Sequence, residues 1–259
     1  MKKENKPLML IVPDVHGRTF WRDAVRSCPK LPVVFLGDYI DPYTMYDGIM
    51  PDDALEEFVE ILEFKKQNMD RVSLLLGNHD VHYICTSLRC SRKDYVNQSR
   101  IEKLYLENLE LFELAHSVRT ETMSYFLTHA GVLNGWLENH LPEAESTDAE
   151  GLTAILNNTL CDLPTFRRFA AMKLWEIPTS RFGDAWYGSP IWADEAEHSM
   201  EENPLSGIYQ IFGHTATGGD PIIEKHYADL DCGSKAFVLY EDDRIVDVCN
   251  DVSYTIARL

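Results

Sequence analysis

The stretch that decides the reading is Val33-Val34-Phe35-Leu36-Gly37-Asp38-Tyr39-Ile40-Asp41. Its first four residues are apolar and β-prone, the signature of a short buried strand. A glycine and two aspartates follow at once, where the chain must leave the sheet and turn. The same grammar recurs along the chain. Leu8–Val12 runs into Asp14-Val15-His16-Gly17, and Val72–Leu76 runs into Gly77-Asn78-His79-Asp80. Tyr125–Thr128 leads to His129-Ala130-Gly131, and Ile208–Phe212 leads to Gly213-His214-Thr215. Five apolar runs thus end in a group able to bind a metal or move a proton. In an open α/β sheet the carboxyl ends of the strands share one edge, and ligands bind there. Residues far apart in sequence are therefore expected to converge.

Working outward, helical patterns separate the strands, which points to an α/β layered fold. The spacing predicts helices over Asp52–Gln67, capped by Asp52 or Asp53, and over Gln98–His116. In the second, Ile101, Leu104, Tyr105, Leu109 and Phe112 form an apolar stripe. Ala236–Tyr240 and Arg244–Val248, joined by Glu241-Asp242-Asp243, read as an antiparallel hairpin. Between them and the earlier strands, residues 138–206 carry helical patterns at Asp148–Asn158 and Pro164–Trp175, then a segment rich in Trp, Gly and Pro. This region reads as a helical insertion or lid at one rim of the sheet, within a single domain spanning residues 1–259.

Composition narrows the function. The chain carries 42 acidic against 24 basic residues, a formal charge of −18. Such a surface repels nucleic-acid backbones and anionic lipid, so nucleic acid and membrane are not expected partners. Carboxylates in surplus suit divalent cations instead. Met1-Lys2-Lys3 precedes an apolar run too short for a signal peptide, and no stretch approaches the ~20 residues of a membrane span. Six cysteines without a C-x-x-C pair read as reduced, mostly buried thiols, and the expected location is cytoplasmic.

The strand-end groups comprise carboxylates, imidazoles and an amide oxygen, a donor set for manganese, iron, zinc or nickel. At this point the sequence resembles the calcineurin-like metallophosphoesterase superfamily, in its phosphoprotein-phosphatase-like branch of small bacterial phosphatases and symmetrical diadenosine tetraphosphatases. The motifs DVHG, GDYID, GNHD, THAG and GHT stand in the family's order between Asp14 and Thr215. The resemblance implies the family's four-layer fold, a layered β-sandwich core flanked by helices. It also implies two divalent metal ions. Asp14 and His16 would bind the first, Asp38 both, and Asn78, His129 and His214 the second. The implied reaction is direct attack of a metal-bridging hydroxide on phosphorus, with His79 protonating the leaving group and Asp41 holding and charging His79. Ala216 follows Thr215 where many superfamily members have a second histidine, which favours the phosphoprotein-phosphatase-like branch.

The departures bear on substrate. That branch commonly reads GDYVDRG, whereas Pro42 and Tyr43 follow Asp41 here. Leu76 stands where an arginine is common before GNH, and Asp194 stands where the "lWxR" segment of bacterial relatives has arginine. Without a bidentate guanidinium, phosphate binding weakens. Either Arg18, Arg181 or the Arg89, Arg92, Lys93 stretch compensates, or the substrate is not a simple phosphomonoester; that basic stretch also reads as a solvated loop. Asp80 reads as a cap, and His82, His116, His140, His198 and His226 as surface or core histidines. Trp175, Trp186 and Trp192 read as lid packing rather than a nucleobase platform, and Asp229–Gly233 as a structural strand and turn. The leading function is a dinuclear phosphomonoesterase of Ser/Thr-phosphatase type acting on a phosphoprotein or small phosphate ester. The alternatives are hydrolysis of a dinucleoside polyphosphate and a non-catalytic binding protein on the same fold.

Overall fold

The computed structural model describes residues 6–144 and 147–256, so Met1–Lys3 fall outside it. Its strands in chain order begin with β1 (Pro7–Val12), β2 (Val33–Phe35), β3 (Val72–Leu75) and β4 (Phe112–Glu113). Next come β5 (Ala115–Arg119), β6 (Ser124–Thr128), β7 (Ile208–Phe212), β8 (Ile222–Ile223) and β9 (Tyr227–Asp229). The last are β10 (Phe237–Tyr240), β11 (Arg244–Asp247) and β12 (Val252–Thr255). They form a seven-stranded sheet in the order β12-β11-β10-β1-β2-β3-β4 and a five-stranded sheet in the order β5-β6-β7-β9-β8.

Alternation along the strands sorts side chains into layers. Met9, Ile11, Val34, Leu36 and Leu75 of one sheet meet Tyr125, Leu127, Tyr209 and Ile211 of the other in one buried cluster. The intervening residues Leu10, Val12, Val33, Phe35 and Leu74 face Trp21, Ala24, Leu55, Phe58 and Ile61 of the helices. On the second sheet Phe126 faces Trp136, Leu152 and Phe166. The molecule is thus helix, sheet, sheet, helix. The strands β1, β2 and β3 are mutually parallel, as are β6, β7 and β9, which brings their carboxyl ends to one rim.

The expected strands and the hairpin of β10 and β11 are present. The helix at Pro51–Gln67 starts where Asp53 accepts the Met50 amide at 3.2 Å. Asp148 caps the helix at Ala149–Asn158, and Leu163–Phe169 continues into a wider π-type turn to Leu174. The expected helix over Gln98–His116 is wrong in its second half. It ends at Glu107, where Asn108 turns its amide onto the Leu104 carbonyl at 2.7 Å. Phe112 then pairs with Leu74, and the side chain of Asn157 accepts the amides of Leu114 and Ala115. Tertiary pairing overrides the helical spacing and yields β4 and β5. All six cysteines are free thiols, but only Cys85 and Cys232 are buried, fewer than expected. Among the described residues no helix is long and apolar enough to cross a membrane.

Candidate active site

The five strand ends do meet. Asp14, His16 and Asp38 present ligand atoms within 4.8 Å of one another, and so do Asp38, His129 and His214. Asp38 belongs to both groups, with Oδ2 at 3.5 Å from His16 Nε2 and Oδ1 at 3.6 Å from His129 Nε2. The second group also includes Asn78, whose Oδ1 lies 3.1 Å from His129 Nε2.

The turns that deliver these groups are unusual backbone. His16, Asp38, Asp41 and His214 all have positive φ, between 46° and 71°. Non-glycine residues rarely adopt this region, and its occurrence clusters at sites where structure is over-determined. Two neighbouring glycines are required by space. A Cβ on Gly77 would lie 2.2 Å from Asp38 Oδ1, and one on Gly213 would lie 2.1 Å from Asp14 Oδ2. Asp80 ties the turns together, its carboxylate accepting the amides of Gly77, Asp38 and Tyr39 and the hydroxyl of Tyr105. The expected cap is therefore also a brace between two ligand loops.

The proton arrangement tests whether a cation fits. His16 Nδ1 donates to the Ile40 carbonyl at 2.8 Å, and His129 Nδ1 donates to the Leu36 carbonyl at 2.9 Å. Each ring therefore turns an Nε2 lone pair toward Asp38. Burial lowers the pKa of His16, His129 and His214, which favours the neutral ring, the form that ligates metal. Burial, with Asp14 and Asp80 adding repulsion, raises that of Asp38. Two imidazole lone pairs face the oxygens of one buried carboxyl group, and backbone carbonyls orient the rings from behind. That is the donor chemistry of a divalent cation site.

Beside this floor lies a second constellation. His79 Nδ1 donates to Asp41 Oδ2 at 2.8 Å and His82 Nε2 donates to the same oxygen at 2.9 Å. Tyr83 donates its hydroxyl to Asp41 Oδ1 at 2.6 Å. Burial pushes the Asp41 carboxyl up, but the hydrogen bonds from His79 and His82 outweigh it and hold it below the usual range. Burial pulls His79 down to about 4 against the opposing pull of Asp41. Thus Asp41 favours the charged imidazole, as anticipated, but does not carry the net shift. His82, read from sequence as a surface or core histidine, and Tyr83, to which the sequence reading gave no role, both serve Asp41. The available signal is helical spacing, since 79, 82 and 83 lie on one face of the helix Asn78–Ile84.

A cavity of about 320 Å³ opens over the floor, lined among others by Tyr43, His79, Cys90, Arg92, Arg181 and Trp192. Arg92 is exposed and lies in a loop, as expected, yet its guanidinium reaches into the site. Its guanidinium stacks 3.6 Å from the Tyr43 ring centroid, donates to the Asp41 carbonyl at 2.5 Å and reaches His79 Nε2 at 3.0 Å. Arg181 enters from the opposite segment, paired with Asp194 at 2.5 Å and donating to Thr215 Oγ1 at 2.7 Å. Arg18 does not line this cavity. It pairs with Asp47 at 2.8 Å and borders a separate one.

The sequence pattern of calcineurin-like phosphoesterases matches residues 9–218. The chain belongs to this family. A similar curated protein is serine/threonine-protein phosphatase 7 of Arabidopsis thaliana, 24% identical over 226 residues, which are 81% of this chain and 51% of that protein. The chain thus spans about half the length of that relative. A serine/threonine phosphatase from Saccharomyces cerevisiae, described as similar to human phosphatase PP5, shares the fold with a TM-score of 0.52 and 14% identity. That match covers 89% of this chain and 72% of the yeast one. Asp14, His16, Asp38, Asn78, His129 and His214 all fall within the residues matched by that family.

Proposed function

We propose that the protein is a dinuclear metal-dependent phosphomonoesterase of Ser/Thr-phosphatase type. The observation that carries this reading is the position of Asp38. Its two carboxylate oxygens face two different histidines, beside an imidazole backed by a carboxylate in the same cavity. Asp14, His16 and Asp38 would hold one divalent ion, and Asp38, Asn78, His129 and His214 the other. Manganese, iron, zinc and nickel all suit this mixed donor set. When bound, such a pair supplies Lewis acidity and an activated water near neutral pH.

The chain's own residues do the rest. Arg92 and Arg181 flank the cavity and grip phosphate oxygens, replacing the guanidinium that Pro42 and Asp194 displace. Asp194 contributes indirectly, since its carboxylate holds Arg181 in place. His79 delivers a proton from Nε2 to the leaving oxygen once Arg92, which donates to that nitrogen in this structure, has swung onto the phosphate, and Asp41 fixes the ring through Nδ1. Arg18 has no part in substrate binding on this reading. Residues 138–206 form the wall and lid that carry Arg181, within a single domain of residues 1–259, and the substrate is a phosphorylated protein or small ester.

The test combines elemental analysis with hydrolysis of p-nitrophenyl phosphate, a phosphoserine peptide and diadenosine tetraphosphate in manganese. Two ions per chain and cleavage of the first two substrates are expected. Cleavage of diadenosine tetraphosphate alone would overturn the phosphomonoesterase reading.

A further inference from the structure

The mouth of the cavity carries a feature that folding does not explain. Phe182 lines the cavity yet is fully exposed, at 101% of its free accessibility. Its φ is 66°, a left-handed conformation uncommon for a bulky side chain. An exposed aromatic on strained backbone gains nothing from burial, and such residues concentrate at functional sites. Trp186, four positions on, is 93% exposed. Between them Asp184 is also exposed, while Ala185 is buried.

The loop is not loose. Gly183 donates its amide to the Pro178 carbonyl at 3.0 Å, and Ala185 donates to the Ile177 carbonyl at 3.0 Å. Arg181, next to Phe182, is pinned by Asp194 and Thr215. Tyr187 packs onto Gly135, where a Cβ would lie 2.4 Å from the Tyr187 ring. A braced segment therefore holds an aromatic, an acid and a second aromatic in solvent, the first of them at the lining of the cavity over the metal-ligand floor.

We infer that Phe182, Asp184 and Trp186 form a recognition edge for the polypeptide flanking a phosphorylated side chain, selecting an apolar residue together with a lysine or arginine. The inference rests on the phosphomonoesterase reading above. Charge selects the occupant. A chain of net charge −18, with Asp184 between the two aromatics, attracts a cationic peptide and repels a polyphosphate. Aromatic faces bind both apolar side chains and cations. A nucleobase would suit the rings but would arrive with the wrong charge.

The experiment uses the manganese-loaded protein and two fluorescent phosphoserine peptides, one followed by Phe and Lys, the other by Gly and Asp. The variants are Phe182→Asn with Trp186→Ala, and Asp184→Lys. Asn tolerates the left-handed backbone, so folding is preserved. The unaltered protein should prefer the Phe-Lys peptide by about tenfold in kcat/KM. The double variant should lose about tenfold on that peptide, through KM, and keep its turnover of p-nitrophenyl phosphate. Asp184→Lys should narrow or reverse the preference. An equal loss on p-nitrophenyl phosphate, an unchanged peptide preference, or a loss confined to diadenosine tetraphosphate would each overturn the inference. If no phosphomonoester is cleaved, the proposed function fails separately. Fluorescence anisotropy of the same peptides then decides the edge, supported by a Kd weakened about tenfold in the double variant and overturned by an unchanged one.

Discussion

The floor and the mouth of the cavity are built on opposite plans. The floor gathers Asp14, His16, Asp38, Asn78, His129 and His214 from the ends of distant strands, all of them inaccessible or nearly so apart from the half-covered His214. The mouth joins an insertion between β6 and β7, which brings Arg181, Phe182 and Trp192, to loops carrying Tyr43 and Arg92, so that arginine and aromatic groups face the cavity and solvent. Rigid sheet rims hold reacting geometry, whereas an inserted loop can vary what is recognised without disturbing it. The difference implies that chemistry and selectivity separate under mutation.

The hardest test of that separation is Asp38→Ala. It removes a group common to both ligand clusters, so metal-dependent turnover should vanish and elemental analysis should show metal lost. Retained stoichiometry would break the account of the floor. His79→Ala should lower kcat by ~10²–10⁴-fold for alkyl phosphates. The loss should be far smaller for p-nitrophenyl phosphate, whose leaving group needs no proton, and single-turnover kinetics would distinguish the two.

His198 probes the seam between the regions, since its Nε2 donates to the Ala130 carbonyl next to His129 at 3.0 Å. Burial lowers its pKa to about 4. A depressed histidine costs nothing above its unfolded pKa near ~6.5 and takes stability away as pH falls from there toward 4, because only the unfolded chain accepts the proton. Denaturant melts should show this contribution, about 3 kcal/mol over that window, missing in His198→Gln, and an equally steep pH slope in the variant would refute it. At the mouth, Arg181→Ala should raise KM for phosphomonoesters by ~10-fold with little change in kcat. Asp194→Asn should have a weaker effect in the same direction, since it loosens the guanidinium without removing it.

The floor was legible in sequence because each ligand follows a short apolar strand, and strand ends in such a sheet share a rim. The mouth was not. Arg92 lies in a basic stretch that resembles a solvated loop until the Tyr43 ring and the Asp41 carbonyl are seen beneath it. Arg18 and Arg181 read alike in sequence, and only their partners, Asp47 and Asp194, separate them. The error over Gln98–His116 has a similar origin. Apolar spacing is a local signal, and what ends the helix is an Asn108 side chain and pairing with β3.

Gly77 and Gly213 set a boundary on how this protein can diversify. Any side chain at either position would collide with a carboxylate oxygen of Asp38 or Asp14. A saturation library would return these two sites empty of functional variants, while at the proposed recognition edge Phe182 and Trp186 would accept replacements that alter which peptide is preferred. Evolution can therefore rewrite the clientele of this scaffold through its rim and must leave its hearth untouched.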